Sequence, residues 1–192
     1  MRQNKDLEHV RDSIFCQRAL VFGSRPDGGR VAAKSNYRTM APPRPTDNKL
    51  LEYTFRFAVR VHVALYGLTG GRIGGRSFNA PVLLLTTKGR KTGKPRTIPL
   101  IYLKQDHSYV LVASFAGSEC HPIWYVNLQA DPHATIQVMT RVMSVTADTA
   151  DPAMRSKLWP KLVAVYPDYE VYQTRTDREI PVVLLKLQTK AH

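Results

Sequence analysis

Acidic residues and cysteines are scarce in this chain, and long apolar runs are missing. Only 15 Asp and Glu stand against 28 Lys and Arg in 192 residues, a formal net charge of +13. The two cysteines, Cys16 and Cys120, have no metal-ligand spacing and give no disulfide framework, so a reducing cytoplasm is the expected compartment. No stretch approaches the roughly 18 uninterrupted apolar residues of a membrane-spanning helix. The first 12 residues interleave Arg, Lys, Asp and Glu, which leaves no apolar core for a signal peptide. His9, His62, His107, His121, His133 and His192 show no ligand spacing with cysteines or carboxylates, and no metal site is expected. Acyl transfer has little support too, because no Ser-His-Asp order accompanies Ser114.

The basic excess suggests a nucleic-acid partner until it is divided along the chain. Residues 1–49 carry +5 and residues 81–110 another +5, while residues 111–140 are at −2. No single long basic face follows. Such diffuse charge favours solubility and weak attraction to polyanions.

Residues 1–49 differ from the rest. They are rich in Arg, Ser, Gly, Pro and Asn, lack a sustained period, and end near Ala41-Pro42-Pro43-Arg44-Pro45. They cannot bury enough apolar surface to offset their ordering entropy. The segment reads as disordered, or as a misannotated extension with Met40 as the true start. Residues 50–66, LLEYTFRFAVRVHVALY, fit both a strand and a helix by period, and their length favours the helix. Glu52, Arg56 and Arg60 would form a polar stripe opposite a wide apolar one. Such a basic amphipathic helix caps an open core or lies on a membrane surface. Gly67, Gly70, Gly71, Gly74 and Gly75 then read as a mobile link.

From Pro81 the pattern is regular. Strands are expected at Val82–Thr87, about Arg96–Leu103, Tyr109–Ser114, Thr135–Thr140, Met143–Ala147 and Ile180–Leu187. Helices are expected over Pro122–Ala130 and from a cap at Asp151 to about Val165, the latter interrupted by Pro160. Tyr166–Gln173 reads as irregular or helical. Hairpin-length links imply an antiparallel sheet. The fold class is mainly β (α+β), with about six short strands closing into a barrel over residues 50–192.

Three segments carry candidate chemistry. In Lys88-Gly89-Arg90-Lys91-Thr92-Gly93-Lys94-Pro95-Arg96 five cations fall within nine residues. Its glycines permit a turn whose N–H groups converge on an anion, and its side chains can add charge-assisted bonds. It is no Walker loop, since Lys88 and Pro95 stand where that motif needs Gly and Ser or Thr. A solvated basic hairpin is the plain alternative. Trp124, Asn127 and Leu128 share one face of the Pro122–Ala130 helix, where a tryptophan is more often core than ligand platform. Tyr166, Tyr169 and Tyr172 are spaced by three, which lines phenols along one side or simply packs them.

Together and in this order, LLLTTKGRKTGKPRTIPLIYL (83–103), VLVAS (110–114), HPIWYVNLQADPHATIQV (121–138) and WPKLVAVYPDYEVYQTRTDREIPVVLL (159–185) resemble the deazaflavin-dependent nitroreductases and F420H2-dependent quinone reductases. The similarity spans roughly residues 50–187. It implies a split, FMN-binding-like β-barrel with flanking helices, and reduced coenzyme F420 as hydride donor. On matching positions, Arg90, Lys91, Thr92, Gly93, Lys94 and Arg96 would hold the cofactor's phosphate side. Ser114 and Trp124 would border its ring, and Tyr166, Tyr169 and Tyr172 would line a pocket for a quinone or nitro-aromatic acceptor. Ser114 would bond the acceptor oxygen, and a tyrosine would orient the acceptor and help deliver a proton. Phe115-Ala116-Gly117 replaces the usual polar residue and Gly-Gly, and Ile101 stands where relatives carry a pocket tyrosine, beside Tyr102. Residues 50–66 add a contact with the inner face of the plasma membrane as a further expectation. Two competing readings remain: a split barrel holding FMN or haem, and a nucleic-acid barrel gripping phosphates through residues 88–96.

Overall fold

In the computed structural model, residues 49–188 are described; the expected disorder or misannotation of residues 1–49 falls almost wholly outside them. The first element is helix α1, Lys49–Thr69. Length decides against a strand here. From Phe55 onward the chain forms one compact unit. Eight strands follow: β1 (Arg76–Ser77), β2 (Ala80–Lys88), β3 (Pro95–Ile101), β4 (Leu103–Gln105), β5 (Ser108–Val112), β6 (His133–Val138), β7 (Arg141–Thr149) and β8 (Val182–Leu187). Helix α2 (Ile123–Ala130) lies between β5 and β6, and α3 (Pro152–Val165) and α4 (Asp168–Gln173) between β7 and β8. Asp151 caps α3, its carboxylate accepting the Met154 N–H at 2.7 Å.

All pairings are antiparallel, in the order β1-β2-β6-β7-β8-β5-β4, with β3 on the other side of β2. The expected 96–103 strand is divided at Tyr102. Its first half pairs with β2, its second half with β5, and the Tyr102 N–H still reaches the Pro81 carbonyl at 3.1 Å. The covalent chain at Tyr102 therefore closes the ring of six long strands. Along β3 the edge away from β2 has no strand partner among the described residues, and two prolines, Pro95 and Pro99, blunt it. The barrel is closed at one end of this strand and split at the other.

Period-two alternation sorts the side chains. Leu83, Leu85, Tyr109, Leu111, Ile136, Val145, Val183 and Leu185 point into the barrel, and Trp124, Tyr125 and Leu128 of α2 join them. Each buried leucine contributes about 1.5–3 kcal/mol. On the outer face Val82 and Leu84 pack with Tyr66 of α1, Val63 and Ile101. Tyr102 packs against the inner cluster, with its ring edge-on to Tyr109 at 5.3 Å. Ile101 and Tyr102 thus face opposite sides of the sheet, and Tyr102 cannot stand in for a side chain at 101.

The glycine link is tied down rather than loose. The Gly71 N–H donates to the Tyr66 carbonyl at 2.8 Å, and His62 Nε2 lies 3.0 Å from the Gly74 carbonyl. Gly71 has φ +78, and a Cβ there would sit 3.0 Å from both Met139 Cα and the Tyr66 ring. Tyr66 is the anchor: fully buried, it donates from its hydroxyl to the Val82 carbonyl at 3.0 Å and accepts the Met139 N–H at 2.9 Å. Tyr66→Phe should therefore cost about 1–3 kcal/mol by stranding these groups, read as a lower urea midpoint with an unchanged slope.

Candidate active site

The basic turn joins β2 to β3. It is closed by the Gly89 N–H on the Lys94 carbonyl at 2.9 Å and by the Thr92 and Gly93 N–H groups on the Gly89 carbonyl at 3.1 and 2.7 Å. Gly93 takes φ +65. Lys94 N–H reaches Thr92 Oγ1 at 3.4 Å, and Arg90 N–H reaches Asn127 Oδ1 at 3.2 Å. These bonds correct the expected nest: the N–H groups of Gly89, Arg90, Thr92, Gly93 and Lys94 already donate within the protein. An anion at this turn would be held mainly by side chains. Those of Arg90, Lys91, Thr92, Lys94 and Arg96 are exposed. Lys88 turns elsewhere, 3.8 Å from Asp131.

Asn127 ties one point of this turn, the Arg90 backbone, to α2. Buried on α2, it accepts from the Arg90 backbone and donates from Nδ2 to Thr87 Oγ1 at 3.1 Å. The sequence put Asn127 on the face shared with Trp124 and Leu128 but gave it no role. A lone amide among apolar residues on a buried face was the available signal. Trp124 itself is buried in the barrel cluster, edge-on to Tyr125 at 6.1 Å.

At the other end of α2 lies the loop after β5. Ser114 is buried, and its hydroxyl makes no cap hydrogen bond to the short 3₁₀ turn it opens. Phe115, Ala116 and Gly117 take φ +47, +56 and +76 in succession. Two of these three are not glycine, and left-handed geometry costs about 1–2 kcal/mol at each such residue. Ala116 thus adopts the conformation that glycine would take most cheaply.

The three tyrosines pack on one another as well as along one side. Tyr166 lies 5.1 Å from Tyr169 and 6.1 Å from Tyr172, centroid to centroid, and Phe78 covers Tyr166 at 6.0 Å. The Tyr166 hydroxyl bonds that of Tyr172 at 3.2 Å and donates to Asp168 Oδ2 at 3.0 Å. All three are buried. Burial is the largest cause holding each phenol's pKa above its usual value, and the Asp168 carboxylate reinforces this at Tyr166 and Tyr172. These phenols therefore remain neutral, and with the Tyr166 proton on Asp168 the Tyr172 hydroxyl is the donor to Tyr166. The tyrosine helix also meets the Ser114 loop: a Cβ on Gly117 would lie 2.6 Å from the Tyr172 carbonyl. The predicted residues thus form three groups joined by α2 and by the contact of α4 with Gly117.

The chain is similar to several known proteins. The family described as F420H(2)-dependent quinone reductase matches residues 58–186. An F420H(2)-dependent quinone reductase of Mycobacterium tuberculosis is 42% identical over 131 residues, covering 66% of this chain and 88% of that protein. The solved structure of an F420-H2 dependent reductase (FDR-A) superposes with a TM-score of 0.52 at 39% identity, covering 55% of this chain and 94% of that one. Another, described as a domain-swapped dimer, gives 0.54 at 35% identity, covering 71% and 96%.

The buried phenols have a measurable consequence. Above about pH 10 unfolded tyrosines ionise while the buried ones resist, so the unfolded state binds fewer protons and stability falls as pH rises. Below about pH 9 the trio adds no slope. Tyr169→Phe should lessen the loss seen by urea unfolding between about pH 9 and pH 11, by up to about 1.4 kcal/mol per pH unit.

Proposed function

This chain belongs to the F420H(2)-dependent quinone reductase family, and from that premise we propose how its own residues serve a reductase that transfers a hydride from reduced coenzyme F420 to a quinone or nitro-aromatic acceptor. The observation that carries the reading is an array of four exposed cations on one turn, tied to α2 where Asn127 accepts from the Arg90 backbone. Two guanidinium and two ammonium groups suit a phosphate-bearing anionic cofactor, since each donates charge-assisted hydrogen bonds and none accepts. The donor chemistry fits.

When bound, the reduced deazaflavin supplies the hydride. Arg90, Lys91 and Arg96 bind its phosphate, with Thr92, Gly93 and Lys94 shaping the turn beneath. The buried Trp124 indole forms part of the wall near the ring. Ser114 offers its hydroxyl to the acceptor oxygen. Tyr166, Tyr169 and Tyr172 orient the acceptor. Their raised pKa values argue against proton transfer, because an efficient acid at neutral pH needs a pKa near 7.

The acceptor's solubility gives α1 a part. Phe57, Val61, Leu65 and Leu68 form an exposed stripe, with Leu68 at 86% exposure, and an apolar depression of about 380 Å³ runs from Phe57 to Ile73. Arg60, Arg72 and Arg76 of the same segment are exposed. Among the described residues no helix is long and apolar enough to cross a membrane. An exposed apolar stripe in a segment bearing exposed arginines suits a helix lying on an anionic bilayer, where lipid-soluble quinones reside.

The function is tested by following reduced F420 by absorbance with menadione as acceptor, beside NADPH and reduced FMN. Oxidation of F420 alone is expected; turnover of NADPH or FMN without F420 would reject the assignment. The Arg90→Ala/Lys91→Ala double variant should bind F420 about 100-fold or more weakly by fluorescence titration, at about 1.5–3 kcal/mol per charge-assisted bond. Unchanged affinity would remove the turn from the site. For the membrane contact, flotation with phosphatidylglycerol vesicles should retain the wild type, whereas Val61→Glu/Leu68→Glu should stay unbound. Absence of wild-type binding at about 0.15 M salt would reject it.

A further inference from the structure

Arg178 lies within residues 159–185 but has no part in the site described above. It stands in the connection between α4 and β8, half-buried, among the exposed neighbours Arg175, Asp177 and Glu179. Its guanidinium turns inward to the loop after β5. Nε donates to the Ser118 carbonyl at 2.8 Å, and Nη2 donates to the Ala113 and Ser114 carbonyls at 3.2 and 2.8 Å. Nη1 lies 3.3 Å from His121 Nδ1, which must accept because a guanidinium only donates. One side chain thus bridges carbonyls on both sides of the three left-handed residues. Burial lowers its pKa, but an arginine remains charged at any working pH.

Arg178 is itself braced. Gln173, the last residue of α4, donates to the Arg178 carbonyl at 2.9 Å. The same Gln173 side chain accepts from Arg155 Nη2 at 2.9 Å and from the Ile180 N–H at 3.0 Å. The tyrosine helix and the Ser114 loop are therefore joined through Gln173 and Arg178, on the side where Tyr172 already presses on Gly117.

Resting on the reductase reading, we propose that Arg178 is a positioning residue: it holds the left-handed Phe115–Gly117 turn in place and thereby aims Ser114 at the acceptor opposite the tyrosine helix. Strain at a functional site persists only where the surroundings over-determine it, and these three carbonyl bonds supply that constraint. The left-handed turn would otherwise relax and carry Ser114 with it.

The test uses Arg178→Lys, which keeps the charge but loses the planar fork that reaches separated carbonyls, and Arg178→Gln. In the cofactor-free protein, Arg178→Lys should speed amide hydrogen exchange at Gly117 and Ser118 at least tenfold while β2, β6 and β7 stay protected. With reduced F420 and menadione, kcat/KM should fall up to about 100-fold, the scale of a 1 Å misplacement. Cofactor affinity, set at the basic turn, should stay within about threefold. In a Ser114→Ala background Arg178→Gln should add less than about threefold, because Arg178 acts through Ser114. Several outcomes would overturn the proposal: unchanged exchange and kinetics, losses that multiply in the double variant, a rise in exchange throughout the barrel, or Arg178→Lys failing to fold. An inactive wild type would count against the reductase reading alone, since the exchange experiment reads the clamp without cofactor.

Discussion

The segment 95–105, two strands joined at Tyr102, imposes the constraint on which the rest depends. Pairing with β2 over its first half and with β5 over its second, it forces the sheet to curl into a ring. Once the ring closes, every side chain is sorted inward or outward, and a one-residue slip would reverse the sorting along a whole strand. Leu83 and Leu85 must then meet Leu111 and Leu185 inside, while Val82 and Leu84 present an outer ledge for Tyr66. The same sorting separates Ile101 from Tyr102.

Closure also decides where chemistry can sit. A filled interior leaves no room for a large cofactor, so binding groups must come from links between strands. α2 connects two of these. It starts beyond the Ser114 loop and ends beside the basic turn, and its buried amide at Asn127 grips that turn by the backbone. Burying an amide inside an apolar cluster is tolerable only because both of its ends are satisfied. A polar side chain in the core thus ties a helix to one point of the turn that bears the surface cations. Arg178 does the corresponding work at the opposite loop, from the outside.

Much of this was legible in the sequence because it is local or periodic. Strand alternation, the Asp151 cap, the length of residues 50–66 and the turn chemistry of residues 88–96 depend on near neighbours alone. What escaped depends on distant partners. The division at Tyr102 is set by β2 and β5 together, so continuous apolar content hid it. Arg178 drew no reading of its own, since nothing in TRTDRE tells which arginine turns inward. The convergent N–H groups expected at the turn were misjudged for a related reason: glycine reveals that the backbone can turn, not which acceptors consume its donors.

The phenol trio shows how burial constrains chemistry beyond what spacing reveals. Three tyrosines at intervals of three are equally compatible with proton donors and with packing. Here each ring is buried against the others, and the Asp168 carboxylate accepts from Tyr166. An anion formed on any of them would lie in a poorly solvated cluster, which raises all three pKa values, and at Tyr166 and Tyr172 the Asp168 charge raises them further. With its one proton given to Asp168, Tyr166 can only accept from Tyr172, so two of the three phenols spend their protons inside the cluster.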